Sequence, residues 1–265
     1  MTLHVLHDDR GLLTLRLDRP DKRNAIDEEM MLALVAAVET ASTDDSVRVV
    51  LIEGAGDNFC GGADIVARNA AGTGDRKPRT GSIQRRLPTQ AHRLIPMLGL
   101  VQVPVVCKVR GWAAGIGFQI ALAADFTLAA DDARFWEPFI ERGFTPDSGA
   151  TWMLPRRVGE ARARELLLLG RALSGTEAAE WGAIHRAVPA AALDAAVDEV
   201  VDQLAAGPTT ALGLTKWLLN AGASADLEAH LANEAYALEL SSRTDDFREG
   251  LSAFREKRAP RFEGR

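Results

Sequence analysis

The sequence predicts an α/β fold that ends in a helical region. Three observations carry this. Apolar β-type runs alternate with helical patterns through the first two hundred residues, the signature of an α/β core. Two glycine-bracketed loops each follow such a run and precede a helical pattern. From Gly207 onward the chain carries helix signals and no strand signal. We therefore divide it into a core over 1–205 and a helical appendage over 206–265.

Residues 2–18 read as a hairpin. Leu3, Val5 and Leu6 precede the turn Asp8-Asp9-Arg10-Gly11, and Leu13, Leu15 and Leu17 alternate with polar residues. The stretch 19–24 is a loop. Asp27 N-caps a helix running to about Ser42, with apolar residues at Met30, Met31, Leu34, Val35 and Val38. Val47–Ile52 is a buried strand. The small, polar and basic stretch 70–81 reads either as a lid over the first loop or as a plain surface insertion. A helix follows from Ser82 or Thr89 to Leu98. Val101–Val109 and Asp125–Ala129 are strands. Ala133–Ile140 reads as strand and turn, which puts residues 137, 139 and 141 on one face. Helices follow over 148–154, 159–169, 176–181 (capped by Thr176), 189–204, 209–220, 226–241 and 245–256.

The loops themselves carry the chemistry. The first is Phe59-Cys60-Gly61-Gly62-Ala63-Asp64-Ile65; the second is Gly111-Trp112-Ala113-Ala114-Gly115-Ile116-Gly117. Glycine lets backbone approach a ligand closely. Free N–H groups cluster at a helix start, where the dipole favours negative charge. Two such loops can place two donors on one oxygen, as stabilising an enolate requires.

The 265 residues carry a net charge of −6. That excludes a nucleic-acid or anionic-membrane partner held by bulk charge. No apolar run is long enough for a membrane span. The segment Met1–Arg10 is polar, so no secretory signal is expected, and a cytoplasmic location follows. Cys60 and Cys107 form no Cys-x-x-Cys pair. They are expected to stay reduced, with Cys60 a small buried residue under its turn. His4-x-x-His7 has no third ligand nearby, so no metal is expected. No phosphate-binding P-loop, dinucleotide fingerprint or Gly-x-Ser-x-Gly elbow is present.

Six motifs occur in order: 19–26 (Arg-Pro-Asp-Lys-Arg-Asn-Ala-Ile), 59–65, 111–117, 143–156 (with Pro146-Asp147-Ser148-Gly149), Ala179-Glu180-Trp181-Gly182 and 254–262. In that order they resemble the crotonase (enoyl-CoA hydratase/isomerase) superfamily, and most closely its isomerase-like branch with a Pro-Asp-Ser-Gly turn. The resemblance implies a spiral of ββα units, a helical C-terminal trimerisation region, and homotrimers often paired into hexamers. It implies an acyl-CoA substrate, with coenzyme A as part of the thioester and no permanently bound cofactor. The backbone N–H groups of Ala63 and Ile116 would hold the thioester oxygen. Coenzyme A would meet Lys22, Arg23, Ala25, Ala63, Asp64 and Ile65, with Phe254 and Lys257 reaching in from a neighbouring subunit.

The chain departs from the pattern at the acids. Hydratases of this kind use two glutamates across one double bond. Here those positions hold Gln119 and Phe139. Asp147 stands where related isomerases and dehalogenases place a base or nucleophile; its alternative role is to cap the next helix. Glu137 and Glu141 flank Phe139 as substitute acids, and Gln119 can orient a water or the thioester. Trp112, Trp136 and Phe139 suggest a bulky apolar acyl pocket. The reading is proton or double-bond transfer through an enolate. Hydration by a rearranged acid pair, thioester or C–C hydrolysis, and non-catalytic acyl-CoA binding are the alternatives.

Overall fold

The computed structural model describes residues 2–64 and 79–265. Ile65 and most of the expected lid lie outside the described residues.

The first strands are β1 (Leu3–His7) and β2 (Leu12–Leu17), an antiparallel hairpin as expected. Helix α1 (Glu28–Ala41) follows, capped by Asp27, whose Oδ1 accepts from the Met30 N–H at 2.9 Å. Strand β3 (Val49–Gly54) lies parallel to β2. Next come a short helix α2 (Ser82–Arg86) and helix α3 (Ala91–Leu100). Then the chain repeats a strand–strand–helix unit. Strand β4 (Val105–Val109) leads to β5 (Trp112–Ala114) and α4 (Ile116–Ala123). Strand β6 (Phe126–Ala130) leads to β7 (Arg134–Trp136) and, after a loop, to α5 (Ala150–Val158).

Each unit sends its first strand to one sheet and its second to another. The large sheet has the order β1-β2-β3-β4-β6-β9, where β9 is Arg186–Val188. The small sheet is β5-β7-β8, with β8 at Leu173–Ser174. Isolated parallel bridges Cys60↔Ala113 and Ile26↔Ala63 widen this second layer. The chain thus winds between two layers, and the core fills with Phe59, Phe118 and Phe135, all fully buried. The rings of Phe118 and Phe135 sit 5.2 Å apart and tilted, a favourable aromatic geometry.

The remaining helices are α6 (Glu160–Leu169), α7 (Gly175–Glu180), α8 (Leu193–Ala205), α9 (Thr209–Gly222), α10 (Leu227–Ser241) and α11 (Asp245–Glu256). Helix α8 covers β3, β4 and β6. Helix α7 corrects one expectation: its cap is Ser174, not Thr176, closed into a capping box with Glu177. Helix α9 reaches the core through Lys216, whose Nζ lies 2.7 Å from Asp125 and donates to the carbonyls of Leu98 and Val103. Burial raises the Asp125 carboxyl and lowers the Lys216 ammonium, and each partner's charge works against that shift. No helix among the described residues is long and apolar enough to cross a membrane.

Candidate active site

The two glycine loops meet in the small layer. Cys60 N–H donates to the Trp112 carbonyl at 2.8 Å, and Ala114 N–H donates to the Cys60 carbonyl at 2.9 Å. These bonds clip the first loop to the strand that leads into the second. The first loop is also tied to the 19–26 segment. Ile26 N–H donates to the Gly62 carbonyl at 2.8 Å, and the Ile26 carbonyl accepts from Asp64 N–H at 2.9 Å. In a parallel bridge of this kind the residue between the two bonded groups turns its own amide the other way. The Ala63 N–H therefore points away from Ile26, and it has no acceptor among the described residues.

The second donor arises at a helix start. Gly115 adopts φ 51° and ψ −121°, a conformation open in practice only to glycine. Its N–H is taken by the Trp136 carbonyl at 2.9 Å. Ile116 follows as the first residue of α4, so its N–H belongs to the unbonded first turn, and no described residue accepts it. Ala63 and Ile116 line one cleft of about 620 Å³.

Asp147 lines the same cleft. The capping alternative is not what is found: α5 starts after Gly149 and no side chain caps it. Among the described residues the Asp147 carboxylate has no hydrogen-bond or ion-pair partner. The next residue, Ser148, is buried with φ 51°. A non-glycine residue in that region stores strain, and such strain gathers at functional sites.

The segment after β7 is not extended, which corrects the shared face expected for 137, 139 and 141. Phe139 has φ −65° and ψ −50° and begins a tight turn over Ile140–Arg142. Phe139 consequently faces the cleft, while Glu137 turns inward with 1% exposure. Glu141 lies exposed against Gly170. The Phe139 and Phe144 rings meet edge to face at 5.4 Å in the cleft wall. Trp112 and Trp136, expected beside Phe139, instead pack on each other, and Trp136 Nε1 donates to the Gly170 carbonyl.

Gln119 is completely buried one turn into α4, and its Nε2 lies 3.3 Å from Glu137 Oε2. Burial first, and then the nearby Asp147 charge, raise the Glu137 carboxyl well above the usual carboxylate range; the Gln119 bond works weakly the other way. Above the unfolded-state value the folded protein keeps a proton that the unfolded chain has released. Wild-type stability therefore falls as pH rises towards the folded-state value, by at most about 1.4 kcal/mol per pH unit. Glu137→Gln removes this titration. Urea unfolding at pH 5 and pH 7 should show the variant gaining on the wild type as pH rises; parallel behaviour would refute the buried titration.

The expected coenzyme A contacts are less gathered. Lys22 is half exposed with its Nζ 3.5 Å from Asp64, and Arg23 is exposed. Ala25 has both backbone groups occupied, by the Lys22 carbonyl and by Arg19. Asp64 lines the cleft, but its carboxylate bonds Arg19 at 2.8 Å. Phe254 lies in α11 and Lys257 follows it, both exposed and away from the cleft lining. Burial pushes the Cys60 thiol up to about 12, which makes it a packing group.

Two residues escaped the sequence reading. Arg19 bonds Asp64 and the Ala25 carbonyl and pairs with Asp27 at 3.1 Å, so it fixes the first loop on its neighbour. Asn24, fully buried at φ 55°, donates to the carbonyls of Ala55 and Asn58 and accepts from the Arg19 N–H. Its side-chain amide stands in for missing backbone partners. No spacing signals that either residue turns inward.

Residues 7–265 match the family model described as enoyl-CoA hydratase/isomerase. The chain is 38% identical to the 1,2-epoxyphenylacetyl-CoA isomerase of Escherichia coli over 265 residues, covering 100% of both chains. It is 33% identical to a 4-chlorobenzoyl coenzyme A dehalogenase of an Arthrobacter species, over 96% of this chain and 91% of that one. The solved enoyl-CoA hydratase of Bacillus anthracis superposes with a TM-score of 0.92 at 28% identity, covering 100% of both. The chain therefore belongs to the enoyl-CoA hydratase/isomerase family, with that family's α/β fold and its acyl-CoA chemistry.

Proposed function

We propose that the protein is an acyl-CoA isomerase that moves a proton, and with it a double bond, through a thioester enolate. One observation carries this reading. Asp147, a carboxylate without a partner among the described residues, lines the same cleft as the two unbonded amides of Ala63 and Ile116. No second acid accompanies it on the hydratase positions, which hold an amide and a phenyl ring. A single base suits isomerisation. Asp147 takes a proton from one carbon, the electron pair moves onto the thioester oxygen between the Ala63 and Ile116 amides, and Asp147 returns the proton to another carbon. Each amide contributes about 3–4 kcal/mol to such a transition state.

The acyl group is bulky and apolar, aromatic or alicyclic. Phe139, Phe144, Ile83, Leu87 and Met31 supply the wall. The printed activity of the E. coli relative, on an epoxyphenylacetyl thioester, points the same way. Lys22 and Arg23 are the candidates for the coenzyme A phosphates, with Ala25, Asp64 and Ile65 beside the nucleotide. Phe254 and Lys257 join them from a neighbouring subunit of a trimer or hexamer.

A panel of 2-enoyl-, 3-enoyl- and aryl-CoA thioesters tests the proposal. Isomerisation changes conjugation, hence absorbance, at constant mass. A product heavier by one water would replace this reading with hydration, and free coenzyme A would replace it with hydrolysis.

A further inference from the structure

Gln119 and Glu137 present a problem in hydrogen-bond accounting. Both side chains are buried, and they share one bond, from Gln119 Nε2 to Glu137 Oε2. Gln119 Oε1 and Glu137 Oε1 are also buried, and neither has a partner among the described residues. An orphaned buried acceptor is costly, and more so where charge is involved. Two acceptors cannot satisfy each other, whichever way the Gln119 amide is drawn.

One proton resolves both. Placed on Glu137 Oε1, it turns that oxygen into a donor, and the acceptor it needs is Gln119 Oε1. The acid and the amide then close a ring of two bonds, Nε2–H to Oε2 and Oε1–H to Oε1. We propose that Glu137 is a neutral carboxylic acid locked in such a ring with Gln119, and that the ring is the positioning device for the Ile116 amide.

The position of the pair supports the second half. Gln119 N–H donates to the Gly115 carbonyl at 3.0 Å, and Gly115 N–H donates to the carbonyl of Trp136, the residue before Glu137. The β5–β7 register ends on the pair Ala114↔Trp136. The ring thus joins the first turn of α4 to the end of β7, directly behind the turn that presents Ile116. The charged group acting on Glu137 is Asp147, whose negative charge favours the proton staying on Glu137. With Glu137 neutral, it sets no negative charge of its own against the developing enolate. Glu137 does not line the cleft, so it acts through the turn and not on the substrate.

The first test needs no substrate. Infrared difference spectra at neutral pH, wild type minus Glu137→Gln, should show the carbonyl stretch of a protonated carboxylic acid. The band should persist in Asp147→Asn. Its absence from the wild type, or its survival in Glu137→Gln, would overturn the ring. The second test rests on the proposed isomerase reading. Glutamine at 137 can keep a two-bond ring with Gln119, whereas methionine cannot. Glu137→Met should lower kcat by about tenfold to a hundredfold with little change in KM, and Glu137→Gln should recover most of that loss. Equal losses would refute the positioning role. If Glu137→Met fails to fold by circular dichroism, Gln119→Met opens the same ring from the other side and is read the same way. If Asp147→Asn turns out fully active, the isomerase reading falls while the infrared band still decides the ring.

Discussion

Asp147→Asn should lower kcat by a factor of about 10²–10⁴ on whichever enoyl-CoA the enzyme isomerises, because an amide cannot accept the substrate proton. That is a loss of at least about 2.7 kcal/mol in transition-state stabilisation. The effect should fall on kcat, with KM nearly unchanged. Asparagine keeps the shape, and no described residue bonds the carboxylate in the resting protein. For the same reason the melting temperature should hardly move. The strained Ser148 backbone beside it belongs to the loop and is unaltered. Steady-state kinetics paired with thermal unfolding separates the outcomes. Full activity in the variant would remove Asp147 as the base and leave the amides of Ala63 and Ile116 as a binding device alone. A loss of stability as large as the loss of rate would mark Asp147 as structural. The substitution also removes the charge set against Glu137, but burial is the larger influence there, so the Glu137 carboxyl stays raised.

The parts of this site legible in the sequence are those set by local backbone chemistry. A glycine loop after an apolar run and before a helix can be read directly, and the loop around Ile116 folds as that pattern requires, between β4 and α4. The Asp27 cap and the first hairpin were legible for the same reason: partners only a few residues apart. The Ser174 cap was also available, since Ser174-Gly175-Thr176-Glu177 is a capping-box spelling; Thr176 misled because it too is a capping residue. What the sequence concealed depends on distant partners. The strand and turn expected over Ala133–Ile140 are found, as β7 and a turn closed by the Gly143 N–H on the Ile140 carbonyl, but the turn begins early enough to break the shared face of 137, 139 and 141. That break turns Glu137 inward, while Phe139 lines the cleft. Strand β8 spans Leu173 and Ser174 alone, too short to leave a period. Arg19 and Asn24 look like ordinary loop residues, and only the fold brings Asp64, Ala55 and Asn58 to them.

The site thus depends on how closely its two loops approach, and Gly117 sets that approach. A Cβ built there would stand 2.6 Å from Cys60 Cβ, 2.9 Å from the Cys60 carbonyl oxygen and 3.0 Å from Cys60 Sγ. Cys60 cannot yield, because its N–H and carbonyl are held by Trp112 and Ala114 in the bridge between the loops. In Gly117→Ala the start of α4 must move instead, and it carries the Ile116 amide away from the first loop. Overpacking of this kind costs about 1–3 kcal/mol of stability. A displacement near 1 Å at a group that holds the reacting oxygen costs about a hundredfold in rate. The variant should therefore lose stability in urea unfolding and lose kcat by that order. A second substitution isolates the cause. Cys60→Gly removes the Cβ and Sγ from the clash, so the double variant should be more stable than the sum of the two single losses allows, with a coupling of about 1 kcal/mol or more. Strict additivity would show that the two residues do not meet, and Gly117→Ala with undiminished turnover would show that the Ile116 amide takes no part in holding the oxygen.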